Sequence, residues 1–86
     1  MPRVLMYCTS ACPFCQAAER LLVEKGVTIE KVRVDLQPAL RAEMMKRSGR
    51  RTVPQIWIGG RHIGGCDDLY ALEHGGQLDA LLKAIP

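Results

Sequence analysis

The sequence is poor in aromatic residues and has no long apolar segment. Its 86 residues include one Trp, two Tyr and one Phe, so a core must consist mainly of aliphatic side chains and methionine. No run approaches the ~18 apolar residues of a membrane-spanning helix, and the N-terminus lacks the apolar stretch of a secretory signal. We therefore expect a cytoplasmic protein that does not bind membranes. A chain this short also predicts one small domain over residues 1–86.

A strong excess of one charge is also lacking. The 12 Lys and Arg residues and 9 Asp and Glu residues give a net charge of +3. The densest basic segment, residues 46–51, contains no aromatic residue, whereas sites for single-stranded nucleic acids combine cationic and aromatic side chains. We therefore expect no nucleic-acid partner.

The apolar and glycine patterns predict four strands. Short apolar or alternating runs indicate strands over residues 3–7, 28–34 and Gln55–Ile58. Gly59-Gly60 then predicts a two-residue hairpin turn into a strand over residues 61–63. The first strand, helix and second strand should form a right-handed parallel crossover. The sequence therefore predicts an α/β fold with a four-stranded mixed sheet flanked by helices.

Four helices are predicted around these strands. Pro13 suits the start of the first, over residues 13–25, and Gly26 suits its end. Pro38 and Gly49 enclose the second, and two shorter helices follow near residues 67–73 and 78–85. The residues expected to face the core are Phe14, Ala17, Ala18, Leu21 and Leu22 in the first helix, Leu40, Met44 and Met45 in the second, and Leu78, Leu81, Leu82 and Ile85 in the last.

The segment Cys12-Pro13-Phe14-Cys15 stands where the first helix begins. Its spacing places both thiols on the same side of the helix start, close enough to bond. The unpaired N–H groups and the helix dipole stabilise a thiolate at Cys12, whereas Cys15 lies one turn further in and is more enclosed. In a reducing compartment such a pair is more often catalytic or metal-binding than structural. We therefore predict that Cys12 is the nucleophile and Cys15 the resolving cysteine.

Three segments together resemble one known family. "CPFC", "TVPQIWIGG" and "HIGGCDDL" occur in the order and spacing of a glutaredoxin, and the resemblance extends over residues 3–82. The sequence resembles in particular the bacterial dithiol glutaredoxins of the glutaredoxin-3 type. This resemblance implies a thioredoxin-like fold and a glutathione-dependent thiol–disulfide oxidoreductase. Its partners would be glutathione and proteins that carry disulfides or bound glutathione.

The resemblance also implies where glutathione binds. In the family the proline of the TVP segment is cis and faces the redox cysteines, and the backbone of Val53 would pair with glutathione like an added strand. The start of the third helix would bind the γ-glutamyl group through backbone N–H groups and an acidic side chain. The implied glutathione-binding residues are Pro13, Phe14, Arg41, Thr52, Val53, Pro54, Gly65, Cys66, Asp67 and Asp68.

One position departs from the family pattern. Thr9 stands where glutaredoxins often have a lysine, so a usual cation for the thiolate and for the glycyl carboxylate of glutathione is missing. Arg41, in the predicted second helix, and Arg51, beside Thr52, are the candidates to replace it. The helix end would otherwise provide more of the stabilisation of the Cys12 thiolate.

Two alternatives involve metals. An iron–sulfur cluster could be bound by Cys12 and glutathione between two subunits, but glutaredoxins that do this usually lack a proline after the first cysteine, so Pro13 argues against it. A zinc site would need Cys8, Cys12, Cys15 and Cys66, although only one CxxC pair is present. We expect no metal, and we expect a monomer.

Overall fold

Four strands form one mixed sheet in the computed structural model, which describes residues 4–84. The strands are β1 (Val4–Cys8), β2 (Ile29–Arg33), β3 (Gln55–Ile58) and β4 (Arg61–Gly64), in the spatial order β2-β1-β3-β4. β1 pairs in parallel with β2 and antiparallel with β3, and β3 pairs antiparallel with β4. The predicted four-stranded mixed sheet is therefore confirmed.

In the described part of the chain, four helices flank the sheet. They are α1 (Pro13–Glu24), α2 (Pro38–Ser48), α3 (Cys66–His74) and α4 (Leu78–Lys83). α3 begins one residue earlier than predicted. The proposed contributions of residue 3 to the first strand and of Ile85 to the last helix lie outside the described residues. Within residues 4–84, no helix is long and apolar enough to cross a membrane.

The two faces of the sheet pack against different helices. Since side chains alternate along a strand, Val4, Met6 and Cys8 of β1 lie on one face and contribute to a core formed with α1, α3 and α4. On the other face, Tyr7 packs with Trp57 and with Met44 of α2. The two cores thus pack against opposite faces of the sheet at the end of β1, from which the chain continues to α1.

Two apolar residues expected in the core are exposed instead. Phe14 retains 62% of its surface and Met45 retains 37%. Helical spacing identifies the apolar face of a helix, but it does not show how much of that face is covered by the sheet and the neighbouring helices. Only Met44 of α2 is fully enclosed, and Phe14 lies in the first turn of α1, at the rim of a cavity.

The hairpin between β3 and β4 depends on its two glycines. Gly59 and Gly60 both have positive φ angles, 59° and 86°. The type I′ turn that matches the twist of a two-residue hairpin requires such angles at both positions, and glycine adopts them without a steric cost. The turn brings β4 back along β3 and delivers the chain to the start of α3.

Candidate active site

Cys12 occupies the N-cap of α1. Its backbone is extended, and its sulfur accepts a hydrogen bond from the backbone N–H of Cys15 at 3.2 Å. The Cys12 thiol faces the carbonyl oxygen of Val53 at 3.8 Å. The side chain is therefore held between the start of α1 and the segment that precedes β3; Pro13 at the first helical residue predicted the N-cap position.

Cys15 lies one turn into the helix and is buried at 4% exposure. Burial, followed by the side-chain hydrogen bond with Cys12, raises the pKa of Cys15 to about 12. Cys15 is thus a protonated thiol at neutral pH. Both cysteines are buried, but Cys12 lies at the helix end, which favours negative charge, whereas Cys15 lies one turn further into the helix.

A cavity of about 260 Å³ lies beside the segment that the Cys12 thiol faces: Val53 and Phe14 line it, whereas Cys12 and Cys15 do not. The Val53–Pro54 peptide bond is cis, as the family resemblance implied. The cavity extends from this segment to the start of α3. Its lining residues are Phe14, Arg50, Thr52, Val53, Pro54, Gly65, Cys66, Asp67 and Asp68.

The start of α3 supplies unpaired donors to the cavity. Gly65 is the N-cap, and its N–H donates to Oδ2 of Asp68 at 2.9 Å. The first N–H groups of a helix have no intrahelical acceptor, so those of Cys66 and Asp67 remain available to an anion. This end of the cavity therefore combines backbone donors with the carboxylates of Asp67 and Asp68.

Arg50 is a cavity residue that the sequence did not indicate. Its guanidinium nitrogen Nη1 lies 2.8 Å from Oδ2 of Asp68. The hydrogen bond from Arg50, followed by that from the Gly65 N–H, holds the pKa of Asp68 below its usual value. Arg50 is one of several basic residues near this point in the chain, and nothing in their spacing identifies which of them faces the cavity.

Arg41 and Pro13 lie outside the cavity lining. Nη2 of Arg41 donates to the carbonyl oxygen of Arg51 at 3.2 Å, so Arg41 supports the chain just before Thr52. Arg51 is exposed and does not line the cavity either. The cation that lines the first cavity is therefore Arg50, and not Arg41 or Arg51, which the sequence had suggested.

Thr9, the position where glutaredoxins often have a lysine, lines a second cavity. This cavity has a volume of about 220 Å³ and is also lined by Cys8 and Cys15.

A buried glutamine and a half-buried histidine support the TVP segment. Nε2 of Gln55 donates to the carbonyl oxygen of Thr52 at 3.0 Å, which leaves Oε1 of Gln55 as an acceptor. Nε2 of His62 lies 2.8 Å from this oxygen and donates to it. Burial, followed by the charge of Arg50, lowers the pKa of His62, so the imidazole is neutral at physiological pH. His62 had no identifiable partner in the sequence because this contact joins two strands.

The four cysteines do not assemble into one ligand set. All four are free thiols, and Cys66 lines the first cavity whereas Cys8 lines the second. Within residues 4–84, no three His, Cys, Asp or Glu side chains come together in a way that would hold a metal ion. The zinc alternative required all four thiols at one point, and the described residues form no such ligand group.

The sheet, the cis-proline segment and the thiol pair at a helix start define a class of protein. This class is the thioredoxin-like thiol–disulfide oxidoreductases. The family model for glutaredoxin matches residues 4–63. The chain belongs to the glutaredoxin family, as the sequence resemblance predicted.

Individual relatives agree over nearly the whole chain. A glutaredoxin of Pseudomonas aeruginosa is 55% identical over 84 residues, which cover 98% of this chain and 100% of the relative. Glutaredoxin 3 of Escherichia coli is 54% identical over 83 residues, which cover 96% and 100%. The crystal structure of a buckwheat glutaredoxin–glutathione complex is 28% identical, with a TM-score of 0.89 over 94% of this chain and 76% of that one.

Proposed function

We propose that this protein is a glutathione-dependent oxidoreductase that reduces protein disulfides and protein–glutathione mixed disulfides through Cys12 and Cys15. The observation that carries the proposal is the position of the Cys12 sulfur, which accepts the Cys15 N–H at a helix start and faces the carbonyl oxygen of Val53, a residue that lines the cavity. Glutaredoxins use glutathione as their reductant, and the buckwheat relative is described as a complex with it.

The reaction begins with attack by the Cys12 thiolate on a disulfide. The thiolate forms a mixed disulfide with one half of the substrate, and the other half leaves as a thiolate that takes up a proton. In the dithiol route, Cys15 attacks Cys12, releases the bound half and leaves a Cys12–Cys15 disulfide, which two glutathione molecules then reduce. In the monothiol route, a second glutathione attacks the glutathione sulfur of the Cys12 adduct, and Cys15 takes no part.

Glutathione would bind along the cavity through its backbone and its γ-glutamyl end. A volume of about 260 Å³ is below the ~300–1,000 Å³ of sites that enclose a small molecule, so the tripeptide would lie across the surface with one side in water. The backbone of Val53 would pair with it as a short strand. The unpaired N–H groups at the start of α3 would bind the γ-glutamyl carboxylate, and Asp68 would bind the ammonium group.

Asp68→Asn tests this assignment. The amide keeps the shape of the side chain but loses the charge that would pair with the γ-glutamyl ammonium. We expect KM for a glutathione–peptide mixed disulfide to rise about tenfold with little change in kcat, because the reacting sulfurs are untouched. The measurement is a steady-state assay that couples glutathione oxidation to glutathione reductase and NADPH.

Two comparisons make that assay specific. A mixed disulfide with cysteinylglycine lacks the γ-glutamyl group, so its KM should be the same for wild type and Asp68→Asn. Asp79→Asn is a matched variant, since Asp79 is an acidic residue in the first turn of α4 and lies away from the cavity lining. If Asp68→Asn altered both substrates equally, or if Asp79→Asn gave the same effect, the γ-glutamyl assignment would be wrong.

The pH dependence of the dithiol route provides a separate test. Burial, the largest cause of the raised pKa of Cys15, persists when Cys12 carries glutathione, so the thiolate fraction of Cys15 should rise about tenfold per pH unit around neutrality. In stopped-flow experiments on the preformed Cys12–glutathione adduct, the first-order release of glutathione should therefore rise steadily between about pH 7 and pH 9. A plateau within this range would show that Cys15 ionises near neutrality.

A further inference from the structure

The loop between β1 and α1 is tied to the end of β2 by one carboxylate. Oδ2 of Asp35 accepts the backbone N–H of Ser10 at 3.2 Å and the Ser10 hydroxyl at 3.0 Å. Arg33 holds the same carboxylate in a bidentate pair, with Nε at 2.8 Å from Oδ1 and Nη2 at 2.8 Å from Oδ2. We call this arrangement of Ser10, Asp35 and Arg33 the loop clamp.

The clamp rests on paired strands. Arg33 is the last residue of β2 and is the register partner of Cys8, the last residue of β1. The backbone N–H of Val34 then donates to the carbonyl oxygen of Cys8 at 3.0 Å. The hydrogen bonds from Arg33, followed in smaller part by those from Ser10, keep the pKa of Asp35 well below its usual value, so the group remains a charged acceptor at neutral pH. Ser10 therefore binds to a fixed anion.

The clamped loop also adjoins Cys15. Thr9, Ser10 and Cys15 line the second cavity together. The backbone of Thr9 lowers the pKa of Cys15 and so opposes the effect of burial. The loop backbone thus stabilises negative charge on the sulfur of Cys15, and Ser10 is the next residue along the chain from Thr9.

We propose that Asp35, acting through Ser10, is a positioning residue for the resolving step carried out by Cys15. This inference rests on the proposed dithiol function. In that step the Cys15 thiol releases its proton to water, and its sulfur attacks the sulfur of Cys12. The Cys12–Cys15 bond forms, the bond between Cys12 and glutathione breaks, and the glutathione thiolate leaves and takes up a proton.

The clamp should act on one route only. In the dithiol route Cys15 must ionise before it attacks, and it develops negative charge again when it leaves as glutathione reduces the Cys12–Cys15 disulfide. A correctly placed Thr9 N–H stabilises that charge in both directions. In the monothiol route the attacked atom is the sulfur of bound glutathione and the leaving group is Cys12, so the position of Thr9 has no effect.

The experiment measures both routes on the same adduct. The protein is loaded with glutathione at Cys12, and glutathione release is followed first without and then with added glutathione, the second in a Cys15→Ser background. We expect Asp35→Asn and Ser10→Ala each to slow the intramolecular release by roughly threefold to tenfold, the effect of losing hydrogen bonds to a charged group. The intermolecular rate should be unchanged.

Matched variants separate positioning from general effects. Ser10→Thr keeps the hydroxyl at an exposed position, so it should keep the wild-type resolution rate. Glu19→Gln removes a carboxylate that also lines the second cavity but pairs with Lys31 instead of the loop, so it should not slow the step.

The outcomes distinguish this inference from the proposed function. If the wild-type adduct releases no glutathione through Cys15, the dithiol function itself is wrong. If wild type resolves and both Asp35→Asn and Ser10→Ala resolve equally fast, the positioning role is wrong. Equal slowing of the intramolecular and intermolecular reactions would also overturn it, because it would show that the clamp affects Cys12 or the fold as a whole.

Discussion

Cys12→Ser is expected to lower kcat/KM for protein disulfides and for glutathione mixed disulfides by at least about a thousandfold. A serine hydroxyl does not ionise near neutral pH, so the covalent intermediate cannot form. Serine is a favoured N-cap residue and can accept the Cys15 N–H in place of the sulfur, so the helix start should be retained. The measurement is the coupled glutathione assay, with thermal unfolding to show that the variant is folded.

Cys8→Ala is the matched control for this loss. Cys8 is also a buried thiol, but it lies at the end of β1 and lines the second cavity. Removing it should leave both activities close to those of wild type. If Cys12→Ser kept deglutathionylation activity while folded, or if Cys8→Ala removed it, the nucleophile would have been assigned to the wrong cysteine.

Cys15→Ser should separate the two activities. We expect reduction of protein disulfides to fall by at least about a hundredfold, because the mixed disulfide with a protein then has no internal thiol to resolve it. Deglutathionylation should persist, since glutathione can resolve the Cys12 adduct directly. The two substrates are compared in the same coupled assay, with unfolding measured because the added hydroxyl is buried.

A loss of both activities in folded Cys15→Ser would contradict this division. It would mean that Cys15 acts before the adduct forms, for example by holding Cys12 in its reactive position through their hydrogen bond.

The alternative function, binding of an iron–sulfur cluster, predicts a different property. Protein purified without oxygen would then show a visible absorption band.

Local sequence patterns predicted the parts of the site that depend on one segment of chain. Pro13 and the spacing of apolar residues were enough to locate the start of α1, and hence the N-cap position of Cys12. Gly59-Gly60 likewise specified the hairpin that leads to α3. The cis bond before Pro54 was implied by the family resemblance and not by propensity, since a proline at a strand entry is equally compatible with a trans bond.

The features that were missed join distant segments. Ser10 and Asp35 are 25 positions apart, and Arg50 and Asp68 are 18 apart. Neither pair lies within one helix or strand, so no local periodicity connects its members, and charged side chains of this kind are most often solvated. The prediction that Phe14 lies in the core was wrong for a different reason. The helical pattern was correct, but the first turn of α1 extends to the rim of the cavity, where Phe14 is exposed.

The central claim is that Cys12 forms the covalent intermediate with glutathione. It is tested most directly by incubating Cys15→Ser with glutathione disulfide and locating the bound glutathione by peptide mass spectrometry. The account predicts one glutathione per chain, attached to Cys12 and released by added glutathione. Attachment to Cys8 or Cys66 in its place, or no adduct in folded protein, would contradict it.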